Sequence, residues 1–352
     1  MAMNVTTISE AIAAGSYPGL ELDNGGDVTL LVTVPGNVAA HYRRVNAQPK
    51  ETLEMSLADV SEEQFQLPVR VSATRLSSAS GKFRALFTQM TEQYHADASG
   101  AGSHGLGGHQ IIGLRSYDGL SCLIILIAIY GRQGLLPQAI SPILLVRIAA
   151  KTNQHDCAEA TAPIFRPYIS QAMKEYCIPN TVNRNLEVWL MIASTFQHLE
   201  CFAEATRTFI ASSREIMLPQ HIPLPQHLYD RMNANRAENI GQLINQLHGF
   251  YDFLSREGCL AVDERNPFRR HLCTHIVICA LTHHMHRAGL IYPSPAAPFS
   301  GISLLDLWRF INEKTSPELD GHPNCNLQTR MVKYFQGMTI EYLSLDALRA
   351  PE

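Results

Sequence analysis

The sequence predicts an α+β domain followed by an all-α domain. Three observations carry this. Val28, Leu30, Val32 and Val34 place four apolar side chains on one face of an extended segment just after the Gly25-Gly26 turn. From Ser141 onward no two-residue alternation competes with apolar residues spaced three and four apart. The 352-residue chain is also long enough for two domains of roughly 150 residues each. The expected layout is a flexible N-terminal arm over 1–24, a mixed domain over 25–176 and a helical domain over 177–352.

The elements follow in order. Residues 1–24 are rich in Gly, Asn, Thr and Ser and read as a loose arm. After the first strand, a polar stretch from Pro35 to Gln64 precedes a second strand around Phe65–Val71. Leu76, Ala79, Phe83, Leu86, Phe87 and Met90 then make the apolar face of one helix. Residues 91–109 hold a Gly/Ser-rich run that reads as a flexible loop, and Gln110–Leu114 suits a third strand. Leu120–Tyr130 is apolar all round, and Asp118 before it and Gly131 after it mark a buried helix. Ser141-Pro142 opens another helix, and Asp156 is placed to cap the next, which Pro163 and Pro167 should break or kink.

The second half reads as helices. Val188, Trp189, Ile192 and Phe196 form one stripe, and Phe202, Ala205, Phe209 and Ile210 form another. Pro219, Pro223 and Pro225 look like a rigid connector. Leu228, Met232, Ile240, Leu243, Ile244, Leu247, Tyr251 and Leu254 then mark one long helix.

Composition removes several function classes. Net charge is −4, and no Lys/Arg run reaches four, so neither a nucleic-acid surface nor a polybasic membrane patch is expected. The longest apolar run, Leu120–Tyr130, falls short of the ~20 residues of a membrane span. The first basic residue is Arg43, so no signal-peptide pattern opens the chain. The eight cysteines then read as reduced thiols, metal ligands or core residues of an intracellular protein, nuclear and cytoplasmic placement being equally compatible.

Catalytic motifs fail one by one. Gly81-Lys82 lacks the preceding glycine of a phosphate loop, since position 76 is leucine. Gly105-Leu-Gly-Gly108 lacks the last glycine of a dinucleotide fingerprint, and neither Gly-x-Ser-x-Gly nor His-Glu-x-x-His occurs. No catalytic or cofactor-binding residue is assigned.

Two His/Cys constellations remain. His271, His275, Cys279 and His283 recur at i+4 and share one helical face. The competing reading makes Ile276, Val277, Ala280 and Leu281 the core face and leaves His283, His284 and His286 in water. The second constellation is Cys259, Cys273 and the pair His322-Pro-Asn-Cys325. His-x-x-Cys suits one end of a tetrahedral zinc site, and the two other cysteines can supply the rest. Such a clip would be structural and would need its donors within about 4 Å of one another. The bland alternative is four separate buried or surface residues.

Several segments resemble a known family. Gly26-Asp-Val-Thr-Leu-Leu-Val32 resembles the opening strand of BTB/POZ domains. The run from Val69 to Phe87, ending Gly-Lys-Phe-Arg-Ala-Leu-Phe, resembles the strand and helix that follow in that family. Tyr117–Gly131 and Ile143–Gln171 look like its later helices. Glu187–Phe196 and Phe202–Ile210 are similar to the helical extension of fungal BTB/POZ proteins, whose cysteine and histidine positions Cys259, Cys273, His322 and Cys325 also match. The resemblance implies a small sheet with helices, and a non-enzymatic protein–protein interaction module, commonly a homodimer and often a scaffold or cullin-type ubiquitin ligase adaptor. It implies that Val28, Leu30, Phe83 and Phe87 belong to dimer-side elements. The rival readings are an enzyme with a site in the helical half and a transcription-associated scaffold.

Overall fold

The computed structural model describes residues 19–35, 64–98, 110–114, 118–218, 224–261 and 265–336. Most of the arm, the polar insert, the Gly/Ser loop and the connector prolines 219 and 223 lie outside the described residues. The fold is mixed α+β, mostly helical, with one small four-stranded sheet.

Strands β1 (Leu20–Glu21), β2 (Val28–Pro35), β3 (Gln64–Val71) and β4 (Gln110–Leu114) are ordered β1-β3-β2-β4. The central β2 runs antiparallel to β3, from Val28 opposite Val71 to Pro35 opposite Gln64, and parallel to β4. Val28, Leu30, Val32 and Val34 are all buried, as the alternation requires. β1 corrects the expected arm: Leu20 and Leu22 bury there, and β1 pairs in parallel with β3.

The helix expected over 76–90 is two helices, α1 (Ala73–Ala79) and α2 (Gly81–Ala98). Ser80 breaks them. Its Oγ accepts the Phe83 N–H at 3.0 Å and donates to the His155 carbonyl, so it caps the second helix. α3 (Gly119–Ile129) is buried from Gly119 to Ala128, which explains its lack of a polar face. A Cβ at Gly119 would lie 1.7 Å from the Thr33 carbonyl oxygen, so only glycine lets this helix start against β2.

α4 (Pro142–His155) opens with Ser141 as its cap. Asp156 ends it in the left-handed conformation, φ 51°, instead of capping the next helix, where Cys157 takes that place. α5 (Ala158–Glu175) runs on through Pro163 and Pro167 rather than breaking. Both prolines face outward, where water meets the carbonyls they release, while Ala162, Phe165, Ile169 and Ala172 bury the opposite face. α6 (Arg184–Phe196) packs on α4 and α5, with Arg166 donating to the Phe196 carbonyl at 3.0 Å.

Two compact units result. The first takes residues up to Ile178 together with Arg184–Phe202; the second takes Pro179–Asn183 and everything from Ala203. The division expected at 176 therefore leaves out α6, whose buried Leu186, Val188, Trp189 and Ile192 belong to the first core.

In the second unit, α7 (Leu199–Ser212) contributes its residues from Ala203, followed by α8 (Gln226–Glu257), α9 (Pro267–Arg287), α10 (Leu304–Glu313) and α11 (Leu327–Tyr334). Seven of the eight residues of the expected α8 stripe are buried; the exception is Tyr251, whose place is taken by Phe250. Arg236, about a third of the way along α8, is fully buried and donates to the carbonyls of Ser213, Pro298, Phe299 and Ile302 at 2.7–3.1 Å. It fastens the Pro-rich stretch after α9 to the long helix.

Candidate metal centre

Three chain segments of the second unit deliver four donors to one point. α8 stops at Gly258, whose φ of +66° favours glycine, and the chain then turns inward with Cys259. Arg270 holds this turn by donating to the carbonyls of Cys259 and Ala261 at 3.1 and 3.0 Å. Arg330 donates to the Gly258 carbonyl at 2.8 Å.

The second segment is α9, capped by Asn266, which accepts from the Phe268 and Arg269 amides. Cys273, Val277, Leu281 and Met285 recur at i+4 and form its buried stripe, so Cys273 faces inward because it belongs to the core face. The third is the 3₁₀ turn Pro323–Cys325, where the Cys325 N–H donates to the His322 carbonyl at 3.0 Å. That turn brings His322 and Cys325 to the same side. Asn326 then caps α11.

Cys259 Sγ lies 3.2 Å from His322 Nδ1 and 3.9 Å from Cys325 Sγ. All four donor atoms lie within 4.8 Å of one another, and all four residues are buried. A zinc tetrahedron with bonds of about 2.3 Å to sulfur and 2.0–2.1 Å to nitrogen has edges of about 3.6–3.8 Å. The set is thus already near that geometry, its widest pair about 1 Å open. Among the described residues it is the only group of three or more His, Cys, Asp or Glu donors so placed.

The electrostatics agree with a metal clip. Burial, followed by the neighbouring Cys325 and Cys259, pushes the Cys273 thiol up to about 12. The metal-free thiol is therefore neutral, and a bound cation must drive its proton off. The Ala261 N–H donates to Cys259 Sγ at 3.4 Å, a bond that supports a thiolate. Only about 10 Å³ of space lies beside the cluster, between Ile276, Pro317 and Leu319, so no substrate fits there. The group can hold an ion by closing around it.

The other expected residues sit elsewhere. His271 and His275 are exposed and joined Nε2 to Nε2 at 2.8 Å; Cys279 and His283 are exposed on the same helix. Ile276 and Ala280 are only half-buried, so the core face of α9 is narrower than the competing reading held. Val28, Leu30, Phe83 and Phe87 are buried inside the first unit, at 0–8% exposure. Because their side chains already fill this core, none of them lies on a free surface of the single chain.

Arg270 and Arg330 are the residues that sequence reasoning missed. No spacing rule points to them, since each acts through backbone carbonyls brought close by folding. No disulfide joins any of the eight cysteines, and no described helix is long and apolar enough to cross a membrane. Comparison with protein-family models, curated proteins and solved structures finds no match.

Proposed function

We propose that the chain is a non-enzymatic protein-binding module of BTB/POZ type, whose helical unit is closed by one structural Zn²⁺ on Cys259, Cys273, His322 and Cys325. The observation that carries the reading is the donor set itself: four buried thiol and imidazole ligands within 4.8 Å, with no adjoining space for a substrate. Three sulfurs and one nitrogen are borderline-soft donors, which favour zinc over magnesium or calcium. A shell with four protein ligands leaves no open position, so the ion's contribution is folding energy and not an activated water.

Support for the BTB/POZ part is the order of elements. The segments that carry the resemblance fall on β2, on β3 to α2, on α3, on α4 and α5, and on α6 and α7, in that sequence. A scaffold of this kind works by docking, either to a second copy or to a cullin-type ligase subunit. Purified full-length protein should contain close to one zinc per chain by elemental analysis, and light scattering should register a dimer at high micromolar concentration. Affinity capture with quantitative mass spectrometry should recover a cullin-type protein. A strict monomer removes the homodimer, capture of a different partner class removes the adaptor role, and a metal content near zero removes the zinc.

A further inference from the structure

We propose that His271 and His275 form a metal site of their own on the outer face of α9, a two-imidazole chelate for Ni²⁺ or Cu²⁺. The site needs nothing from the buried cysteine centre. The two histidines are four residues apart within α9, so one turn of helix sets them above one another on the same face. Both are exposed, while Cys273 between them points into the core. Their ring centres stand 4.2 Å apart with the planes nearly perpendicular at 80°, and the two Nε2 atoms face each other at 2.8 Å.

Two imidazole lone pairs do not face each other that closely unless something positive lies between them. In the metal-free chain this is a proton, carried by one Nε2 and accepted by the other. A metal ion can take its place. Each ring then binds through its Nε2 lone pair and carries its N–H on Nδ1. Two N–metal bonds form, and the displaced proton passes through solvent to the Nδ1 of its own ring.

The distance selects the ion. With bonds of about 2.0–2.1 Å, a right angle at the metal sets the nitrogens about 2.8–3.0 Å apart, and a tetrahedral angle about 3.3–3.4 Å. The observed 2.8 Å is the right-angled edge. Such edges belong to square-planar and tetragonal centres, which Cu²⁺ and Ni²⁺ adopt with nitrogen and oxygen donors, whereas zinc favours the tetrahedron. Among the described residues no third His, Cys, Asp or Glu donor converges on the pair, so water fills the remaining positions. Arg269 and Arg270 precede His271 in the chain. Their guanidinium groups are drawn off to the carbonyls of Asp320 and of Cys259 and Ala261, at 2.9–3.1 Å. The ion is held by imidazole nitrogen, with no carboxylate to attract it.

The test uses untagged full-length protein, saturated with Zn²⁺ and dialysed so that the cysteine centre is in the same state in every sample. NiCl₂ is then titrated by equilibrium dialysis with elemental analysis; Ni²⁺ is the probe because Cu²⁺ oxidises free thiols. Wild type should take up one added Ni²⁺ per chain. His271→Gln and His275→Gln should each weaken it by at least about tenfold, since either loss turns a chelate into a single contact. Cys279→Ser and His283→Gln, changes to exposed residues further along the same helix, should leave it within about twofold. Zn²⁺ offered in place of Ni²⁺ should bind the pair more weakly. Circular dichroism checks that these surface variants keep wild-type helicity. The inference is overturned by no added Ni²⁺ in wild type, by equal uptake in both pair variants, or by an equal loss on His283→Gln. Tighter Zn²⁺ than Ni²⁺ binding at the pair overturns it as well. So does a loss confined to Cys325→Ser, which would place the ion at the cysteine centre.

Discussion

In the first unit, the sheet face formed by Val28, Leu30, Val32 and Val34 lies under α3, whose residues are buried from Gly119 to Ala128. Apolar area closes that core, at roughly 25 cal/mol per Å² removed from water. The second unit has amphipathic helices of the same kind, yet its long connections are held by polar groups taken out of water. Arg236 fastens the stretch after α9 with four carbonyl bonds, and the cysteine–histidine set joins the end of α8, the buried face of α9 and the turn before α11. Among the described residues, the two buried arginines of this unit differ in one respect. Arg236 is satisfied by the chain alone, whereas Arg330 has one carbonyl and, among the described residues, two nitrogens without partners. A core closed by apolar area needs nothing from outside, but a core closed by buried charge is complete only when the charge is.

The widest separation between the units should come from removing the metal. Chelation, or Cys325→Ala, should destabilise the second unit by several kcal/mol, since structural zinc contributes folding free energy directly. The first unit should keep its unfolding transition, read by calorimetry. A common shift of both transitions would end the contrast between them.

The converse test is Phe83→Asp. Phe83 is buried and stacks on His155 with ring centres 5.1 Å apart, so an unpaired carboxylate there should cost about 3–5 kcal/mol in the first unit. Zinc content should be unchanged. A soluble, cooperatively folded variant would contradict the core assignment.

The arginine pair is sharpened by matched substitutions in metal-free protein. Arg236→Met strands four carbonyls and should destabilise by about 3 kcal/mol in denaturant titration. Arg330→Met removes a charge that lacks its anion and should instead stabilise by about 1 kcal/mol. Equal losses from both would show that Arg330 is already satisfied without metal.

The smallest effect is acid sensitivity of the first unit. Burial holds His155 and His198 below their ordinary value of 6.5. His198 is fixed as the neutral ring, its Nδ1 accepting the Cys201 N–H at 3.2 Å and its Nε2 bonded to Ser170 Oγ at 2.9 Å. Well above 6.5 both histidines are neutral in folded and unfolded chains alike. Below it the unfolded chain takes up protons that the folded chain resists, so stability should fall as the pH drops from about 6.5. His198→Gln together with His155→Phe should flatten that slope in pH-dependent denaturant titrations; an unchanged slope assigns it to other groups.

Much of the architecture is legible in the sequence, because burial imposes a period on local residues. Alternation at 28–34 marks β2, and the caps Asp118 and Ser141 mark where α3 and α4 begin. The four metal-site donors are legible as chemistry, from the His-x-x-Cys spacing and two further cysteines near turns. What tertiary structure alone decided depends on groups distant in the chain. Ser80 breaks a continuous apolar stripe because the His155 carbonyl, 75 residues away, accepts its hydroxyl. Prolines 163 and 167 stay within a helix because the side that loses hydrogen bonds faces water. Phe83 and Phe87 fill the interior of their own unit, since a stripe of apolar residues does not say what will cover it. Convergence of Cys259 with Cys325 across 66 residues, and the placing of Arg330 beside them, follow from how α8, α9 and α11 pack. Local periodicity encodes which face is buried; only the folded chain sets which buried charges meet.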